Sequence, residues 1–495
     1  RIWPDQSIYN EVTVFVIEGR VDRAHFERAF QAAIDRTDLL RAVIEEVDGR
    51  PRLRLRDRYL YSPKYIDLSS EAEQDRALER FVRVNAGKIF DLSRAWFDTT
   101  LIKLSESRYA WYLLLHHVFA DAASMEMLYR RVANLYARSQ EGALETVGEF
   151  PRFVEYAAYA QQHQQSPSFA EAQAYWTRKT AMPIDSVDFY GIAYDPRLGR
   201  KEQERIRHDF GIERSTRIRR LARQAGVRLL SDDLSEFSIL AAVLFAFLHR
   251  LSGNDRIAIG VPWQNRPARF ADTLGLLMEQ DPFEVSIGEG ETFQTLIRKV
   301  HGEALEVMRH LPYSAGNPNG RVYSVTLNYL KVSLGDFAGM SVRPLWFNSG
   351  AGEGSMALNV HDLEGSGSLV GEFDFNCDVF TPGNRRRAVR HFERLLDACL
   401  EDLSRELGDV EILDDDEQKI FDDWNDTRRD YPLHATLHQL FEEQADRTPE
   451  AIAVVFEGRQ LSYAEMDPKA NRLAHRLRAL DVGPDVLVGV CMRRC

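Results

Sequence analysis

Apolar and polar residues change rhythm several times along the chain, and each change predicts an element. Residues 12–17 read as a strand. Asp22 then stands where a helix cap belongs, before Phe26, Ala29, Phe30, Ala33 and Ile34, which follow the i, i+3, i+4 spacing of a buried helix face. Further β-like runs at 41–46 and 109–115 alternate with helical ones at 72–86 and 169–176. The stretch 178–200 carries four breakers, Pro183, Gly191, Pro196 and Gly199, and reads as the crossing between two halves. The second half repeats the recipe. Residues 237–251 predict a helix apolar nearly all round, hence buried, and stopped by Gly253. A strand at 257–261 is expected to break at Pro262, strand-rich stretches follow at 322–332 and 369–376, and 382–400 reads as a helix. Periodicity by itself predicts an α/β chain in two lobes.

One junction carries chemistry. The greasy run Trp111 to Leu115 leads into His116-His117-Val118-Phe119-Ala120-Asp121-Ala122. Paired imidazoles at the end of a buried strand, with a carboxylate four residues past the second, suit proton handling in a pocket. A neutral imidazole accepts a proton near neutral pH because its unperturbed pKa is about 6.5. Ser124 is expected to cap a helix carrying Leu128, Val132 and Leu135, so the strand–loop–helix junction sets His117 at a rim. A hydrogen-bonded structural His pair is the blander reading of the spacing. A metal site is the third, since His117 and Asp121 are i and i+4. Zinc, however, usually draws three or four N, S or O ligands, and no further His/Cys cluster lies nearby, so no metal is expected.

Composition narrows the function classes. A chain of 495 residues exceeds one core, so two or three domains are expected. The 63 basic and 76 acidic residues give a net charge of −13 without long single-sign blocks. That argues against a nucleic-acid or anionic-membrane surface, which needs clustered Lys and Arg. Cys377, Cys399, Cys491 and Cys495 are too few and scattered for a disulfide framework, which points to a reducing, cytoplasmic setting. The longest greasy helix expected, 237–248, falls short of the roughly 20 residues that span a bilayer. No signal peptide is evident. The missing Met start and abrupt ending read as an excised piece of a longer chain.

Several motifs in order resemble the condensation domains of nonribosomal peptide synthetases, whose hallmark is His-His-x-x-x-Asp-Gly. Arg1-Ile2-Trp3 with Gln6 and Tyr9-Asn10 looks like a shortened first motif. Arg36-Thr37-Asp38-Leu39-Leu40-Arg41 is similar to Arg-His-Glu-x-Leu-Arg. Tyr175-Trp176 matches the end of the first half. Gly260-Val261-Pro262 with Arg266, and Asn376-Cys377-Asp378-Val379-Phe380, resemble the later motifs. Trp424-Asn425-Asp426-Thr427, Tyr431-Pro432 and Leu437 to Glu442 resemble the linker into an adenylation domain. Thr448 to Val454 and Leu461-Ser462-Tyr463-Ala464-Glu465-Met466 resemble that domain's opening, with Met for the usual Leu. The chain stops at Cys495, before a nucleotide loop, so this fragment is expected neither to bind ATP nor to activate an amino acid.

The resemblance implies two chloramphenicol-acetyltransferase-like α/β lobes in a V-shaped pseudo-dimer with the His motif in the cleft. The implied division is 1–177 and 178–415 for the lobes, 416–436 for a linker and 437–495 for a small truncated adenylation start. It implies an acyltransferase that joins a donor acyl or peptidyl thioester to an acceptor aminoacyl group, both carried on 4′-phosphopantetheine arms of partner carrier proteins. No cofactor of its own is implied, and no pantetheine-bearing Ser is recognisable here. The rest of the adenylation domain is the other implied partner. His117 would handle or position the acceptor's proton, and His116 would support the loop. Asp121 would be a scaffold residue paired with Arg266, or else with Arg41. Ala122 replaces the motif's Gly, so no positive φ is expected there. Glu279-Gln280 replace the family's Asn-Thr after Gly275, and Asp281-Pro282 reads as a turn. Ser124, Gly275, Glu279 and Gln280 are the cleft candidates. The segment after His310-Leu311-Pro312-Tyr313 also departs, with turn formers from Gly316 to Gly320. An epimerisation domain of the same fold and a non-catalytic recruitment platform are the alternatives. The adenylation-like segment downstream argues against the first, and the retained histidines against the second. Heterocyclising relatives carry Asp residues in place of the His pair.

Overall fold

The computed structural model describes residues 7–181, 184, 187–194, 202–311 and 323–492. Expectations on Arg1-Ile2-Trp3, Gln6, Pro183, Pro196, Gly199, Pro312-Tyr313, Gly316 to Gly320, position 322 and Cys495 lie outside these residues. The chain divides into two compact units, residues 1–414 and 415–495.

The first half of unit one holds β1 (Asn10–Glu18), α1 (Arg23–Arg36), β2 (Ala42–Val47), β3 (Arg50–Leu55), β4 (Lys64–Asp67), α2 (Gln74–Ala86), β5 (Phe97–Ser105), β6 (Arg108–His116), α3 (Ala122–Gln140), α4 (Phe153–His163) and α5 (Pro167–Lys179). The second half holds β7 (Gln203–Asp209), α6 (Gly211–Ala222), α7 (Asp232–Ser252), β8 (Arg256–Gln264), β9 (Met278–Ser286), α8 (Phe293–Arg309), β10 (Val325–Leu330), β11 (Ser341–Phe347), β12 (Met356–His361), β13 (Val370–Asn376) and α9 (Pro382–Glu401). Two large sheets result, ordered β11-β1-β6-β5-β4 and β7-β13-β12-β10-β8-β9.

The sequence pattern explains why the central strands read as greasy rather than alternating. In β1, Phe15 and Ile17 bury in a cluster with Phe26 and Phe30 of α1 and with Leu128 and Val132 of α3. Val12, Val14 and Val16 bury on the opposite face with Leu78 and Val82 of α2. A strand covered on both faces has no polar side. Asp22 caps α1, accepting from the His25 N–H at 2.9 Å.

Four features differ from the sequence reading. First, β11 lies in the second half of the chain yet pairs antiparallel with β1 of the first-half sheet, from Val12↔Phe347 to Glu18↔Ser341. It is an edge strand, which is where Pro344 is tolerated. Second, β8 runs through Pro262 to Gln264. Its register with β10 is the single pair Thr326↔Gly260, so Pro262 lies past that ladder and removes no donor from it. Third, α7 begins at Asp232, capped by Ser231, and ends at Gly253 with φ 72°. Its 21 residues make it long and apolar enough to cross a membrane, longer than the sequence reading allowed. Its side chains from Ser235 to Leu248 are buried inside the unit, as in a core helix. Fourth, β9 covers Met278–Ser286, so Asp281-Pro282 is strand and not turn.

The two halves share one device. Strand β6 passes through a short turn into α3, and β13 passes through the same turn into α9. The His117 N–H donates to Tyr9 O at 2.7 Å, and the Cys377 N–H donates to Glu202 O at 3.0 Å. Asp121 and Thr381 are the corresponding helix caps. The turn is thus repeated in backbone, while His117 and Asp121 are replaced by Cys377 and Thr381.

Unit two contains α10 (Asp415–Asn425), α11 (Leu437–Arg447), β14 (Ile452–Phe456), β15 (Arg459–Ser462) and α12 (Tyr463–Arg478). The Ser462 hydroxyl and the Glu465 carboxylate cap α12 reciprocally.

Candidate functional site

Strand β6 is buried from Tyr109 to Leu115 and delivers the His pair to the strand's end. His116 turns toward Phe90 and Tyr9, with ring centroids 6.1 Å away in each case, and its Nδ1 accepts from the Val118 N–H at 3.2 Å. Burial, aided by the neighbouring His117, pushes its pKa down to about 4, so it is neutral at physiological pH. His117 is left at the rim with 29% of its side chain exposed.

Asp121 caps α3. This corrects the sequence reading, in which Ser124 was the cap. Ser124 is instead a first-turn residue whose N–H donates to Asp121 Oδ1 at 2.8 Å. Asp121 is buried and receives Arg266 Nη2 at 3.0 Å on both oxygens, plus the Leu277 N–H at 2.9 Å. Arg41 lies elsewhere, donating to Ile34 O at 2.8 Å and to Arg56 O at 3.2 Å. Ala122 is the first residue of α3 and has no positive φ. The Ser124 hydroxyl accepts from the Gly275 N–H at 2.9 Å and lies 2.6 Å from Gly275 O. The loop between β8 and β9 is therefore stitched onto the first half beneath the His motif.

A cavity of about 230 Å³ opens beside His117. Strands of both sheets line it, among them β1 with Glu11, β7 with Arg205, β9 with Met278 and Gln280, and β11 with Trp346. Of the four cleft candidates, Gln280 lines this cavity. Glu279 alternates to the other side of β9, where its charge acts on Tyr156, and Ser124 and Gly275 are buried under the motif. Those three do not line this cavity.

Sequence reasoning missed the polar wall of this cavity. Glu11 Oε1 lies 3.7 Å from His117 Nε2. Trp346 Nε1 donates to Glu11 Oε2 at 3.2 Å. Arg205 donates to Trp346 O at 3.0 Å and grips Asp374 with two bonds of 2.7 Å. The one local signal was at Asp374, a charge set between Phe373 and Phe375 in a buried strand; Arg205 lies in the mostly polar strand Gln203–Asp209, and Glu11 only heads an apolar run. Among the described residues, no group of three or more His, Cys, Asp and Glu side chains is arranged to hold a metal ion. His117 faces Glu11 while Asp121 faces Arg266, so the i, i+4 pair diverges.

Residues 2–317 match the family model described as Condensation domain, and residues 441–495 match that of AMP-binding enzyme. One of the linear gramicidin synthase proteins of Brevibacillus parabrevis is 25% identical over 514 aligned positions, covering 100% of this chain and 6% of that protein. Tyrocidine synthase 2 of the same organism is 26% identical, over 98% of this chain and 14% of that protein. The chain thus spans less than a fifth of the length of these relatives. Among solved structures, a mutant of the starter condensation domain of rhizomide synthetase superposes with a TM-score of 0.74 at 23% identity, covering 83% of this chain and 94% of that one. The first condensation domain of the calcium-dependent antibiotic synthetase gives 0.73 at 20%, covering 83% and 96%. With its fold shared by those domains and its residues 2–317 fitted by their family model, the chain belongs to the condensation domain family.

Proposed function

We propose that this chain forms an amide bond between a donor acyl or peptidyl thioester and an acceptor aminoacyl thioester, each borne on the phosphopantetheine arm of a carrier protein. The observation that carries the reading is His117 at the rim of a cavity walled by strands of both sheets. The acceptor nitrogen attacks the donor's thioester carbonyl carbon. A C–N bond forms, the C–S bond breaks, the nitrogen loses one proton and the departing thiolate gains one. Holding two tethered reactants together supplies much of the rate gain, because effective molarities of oriented pairs are very large. His117 handles or positions the amine's proton, and such a group typically contributes about 10²–10⁴-fold. His116 packs behind it, and Asp121 with Arg266 fixes the turn and the β8–β9 loop below.

In this reading residues 1–177 and 178–415 are the two lobes, 416–436 the linker and 437–495 the start of an adenylation domain whose remainder is a partner. The chain carries no cofactor of its own and works in the cytoplasm. The test is incubation with two loaded carrier proteins and mass spectrometry of the acceptor arm, wild type beside His117→Ala. Condensed product from the wild type, falling about 10²–10⁴-fold in the variant, is expected. Equal product from both removes His117 from the mechanism, and no product with any carrier pair defeats the reading.

A further inference from the structure

We infer that Glu11 is the acceptor-side recognition residue, binding the α-ammonium group of the incoming aminoacyl arm and presenting it to His117. The inference rests on the amide-forming reading above and adds to it the residue that selects an amine.

Glu11 Oε1 and His117 Nε2 are 3.7 Å apart, beyond the roughly 2.7–3.2 Å of an N–H···O bond. A nitrogen about 2.9 Å from each satisfies both. An ammonium group, with three donors, makes two such bonds at once. Glu11 is oriented for this. The Trp346 indole N–H holds Oε2 at 3.2 Å, which turns Oε1 toward the imidazole. Both side chains are partly exposed, 32% and 29%, on the cavity side.

Charge points the same way. Asp374, another acid of this wall, is neutralised by the two-bond grip of Arg205. Glu353 receives the Tyr9 hydroxyl at 3.0 Å. Glu11 is therefore the carboxylate set beside the imidazole. A free α-amino group has a pKa of about 7.7–8.0, so the acceptor arrives largely as a cation at neutral pH. A carboxylate at the meeting point favours that cation over the donor's uncharged carbonyl, which sorts the two arms by chemistry. The bound ammonium gives up one proton before its nitrogen attacks, with the His117 imidazole in reach to take it, and a second as the amide forms, which the departing thiolate takes.

The test uses the whole chain with Glu11→Gln, which keeps the shape and an oxygen able to accept from Trp346. Binding is measured for two stable probes, alanyl and propionyl groups amide-linked to aminopantetheine, which differ only by the amine. The wild type should prefer alanyl by about tenfold or more, as charge-assisted hydrogen bonds allow. Glu11→Gln should erase the preference while leaving propionyl binding unchanged, a pattern that mere loosening of the fold would not produce. In turnover, KM for the loaded acceptor carrier should rise about tenfold with KM for the donor unmoved. A wild type without the preference, or a variant that keeps it, overturns the inference. So does a variant that lowers kcat alone. The binding ratio is readable even if no amide product forms, so failure of the reaction and failure of the recognition are told apart.

Discussion

Removing the Asp121 carboxylate would strand the Arg266 guanidinium in a site where both side chains are less than a tenth exposed. Breaking such a buried pair from one side costs about 3–5 kcal/mol. Asp121→Ala should therefore lose both thermal stability and turnover, checked by denaturant melts beside the carrier assay. Unchanged stability with vanished turnover would mean that Asp121 acts on substrate directly. At this scale the sequence was legible where motif spacing named both partners, as with Asp121 and Arg266. It was silent on Glu11, because a lone acid at the head of an apolar strand has no local pattern. Its meaning arises only when β6 sets His117, and β11 sets Trp346, beside it.

Among elements, the β8–β9 loop does the joining, and its chain path is set by close approach. A Cβ on Gly275 would meet Leu277 Cδ1 at 2.6 Å and the Phe153 ring at 2.7 Å. Leu277 is itself buried and gives its backbone N–H to Asp121, so relief has to come from its side chain and the Phe153 ring repacking in a filled site. Gly275→Ala should cost about 1–3 kcal/mol, as overpacking does, and should lower turnover through the displaced His turn. An unchanged melting temperature would show that the loop yields without effect. Periodic segments such as α1, β6, α7 and α9 were legible because their burial pattern is written locally. Strand β11 was not. Ser341 to Phe347 interleaves Arg343 and Pro344 with apolar residues, and its partner β1 lies more than 300 positions earlier in the chain. Nothing within a short window encodes that pairing. The cap of α3 was misread for a smaller reason: Asp121 and Ser124 are both good cap residues, and the backbone turn decides between them.

For unit one as a whole, two buried groups set opposing pH dependences. Asp281 sits on β9 with its Oδ2 buried and without a hydrogen-bond partner among the described residues. Burial, reinforced by the neighbouring Glu279 charge and only partly countered by Lys179, raises its pKa to about 7. Between about pH 4 and 7 the folded state then holds a proton that the unfolded chain has released, so stability falls as pH rises through that window. His116 acts with the other sign. Its folded pKa of about 4 lies below the ordinary 6.5 of an imidazole, so the unfolded chain binds the extra proton and stability falls as pH drops through that range. Below about 6.5 the two slopes offset, and above it only Asp281 still titrates. Asp281→Asn removes one slope and leaves the other. The variant should gain stability over the wild type at about pH 8, gain little at about pH 4, and show a clear rise in melting temperature between about pH 4 and 6.5 where the wild type is flatter. Melting curves across about pH 4–8 for both proteins decide it, and parallel curves would mean that Asp281 is ionised in the folded state throughout.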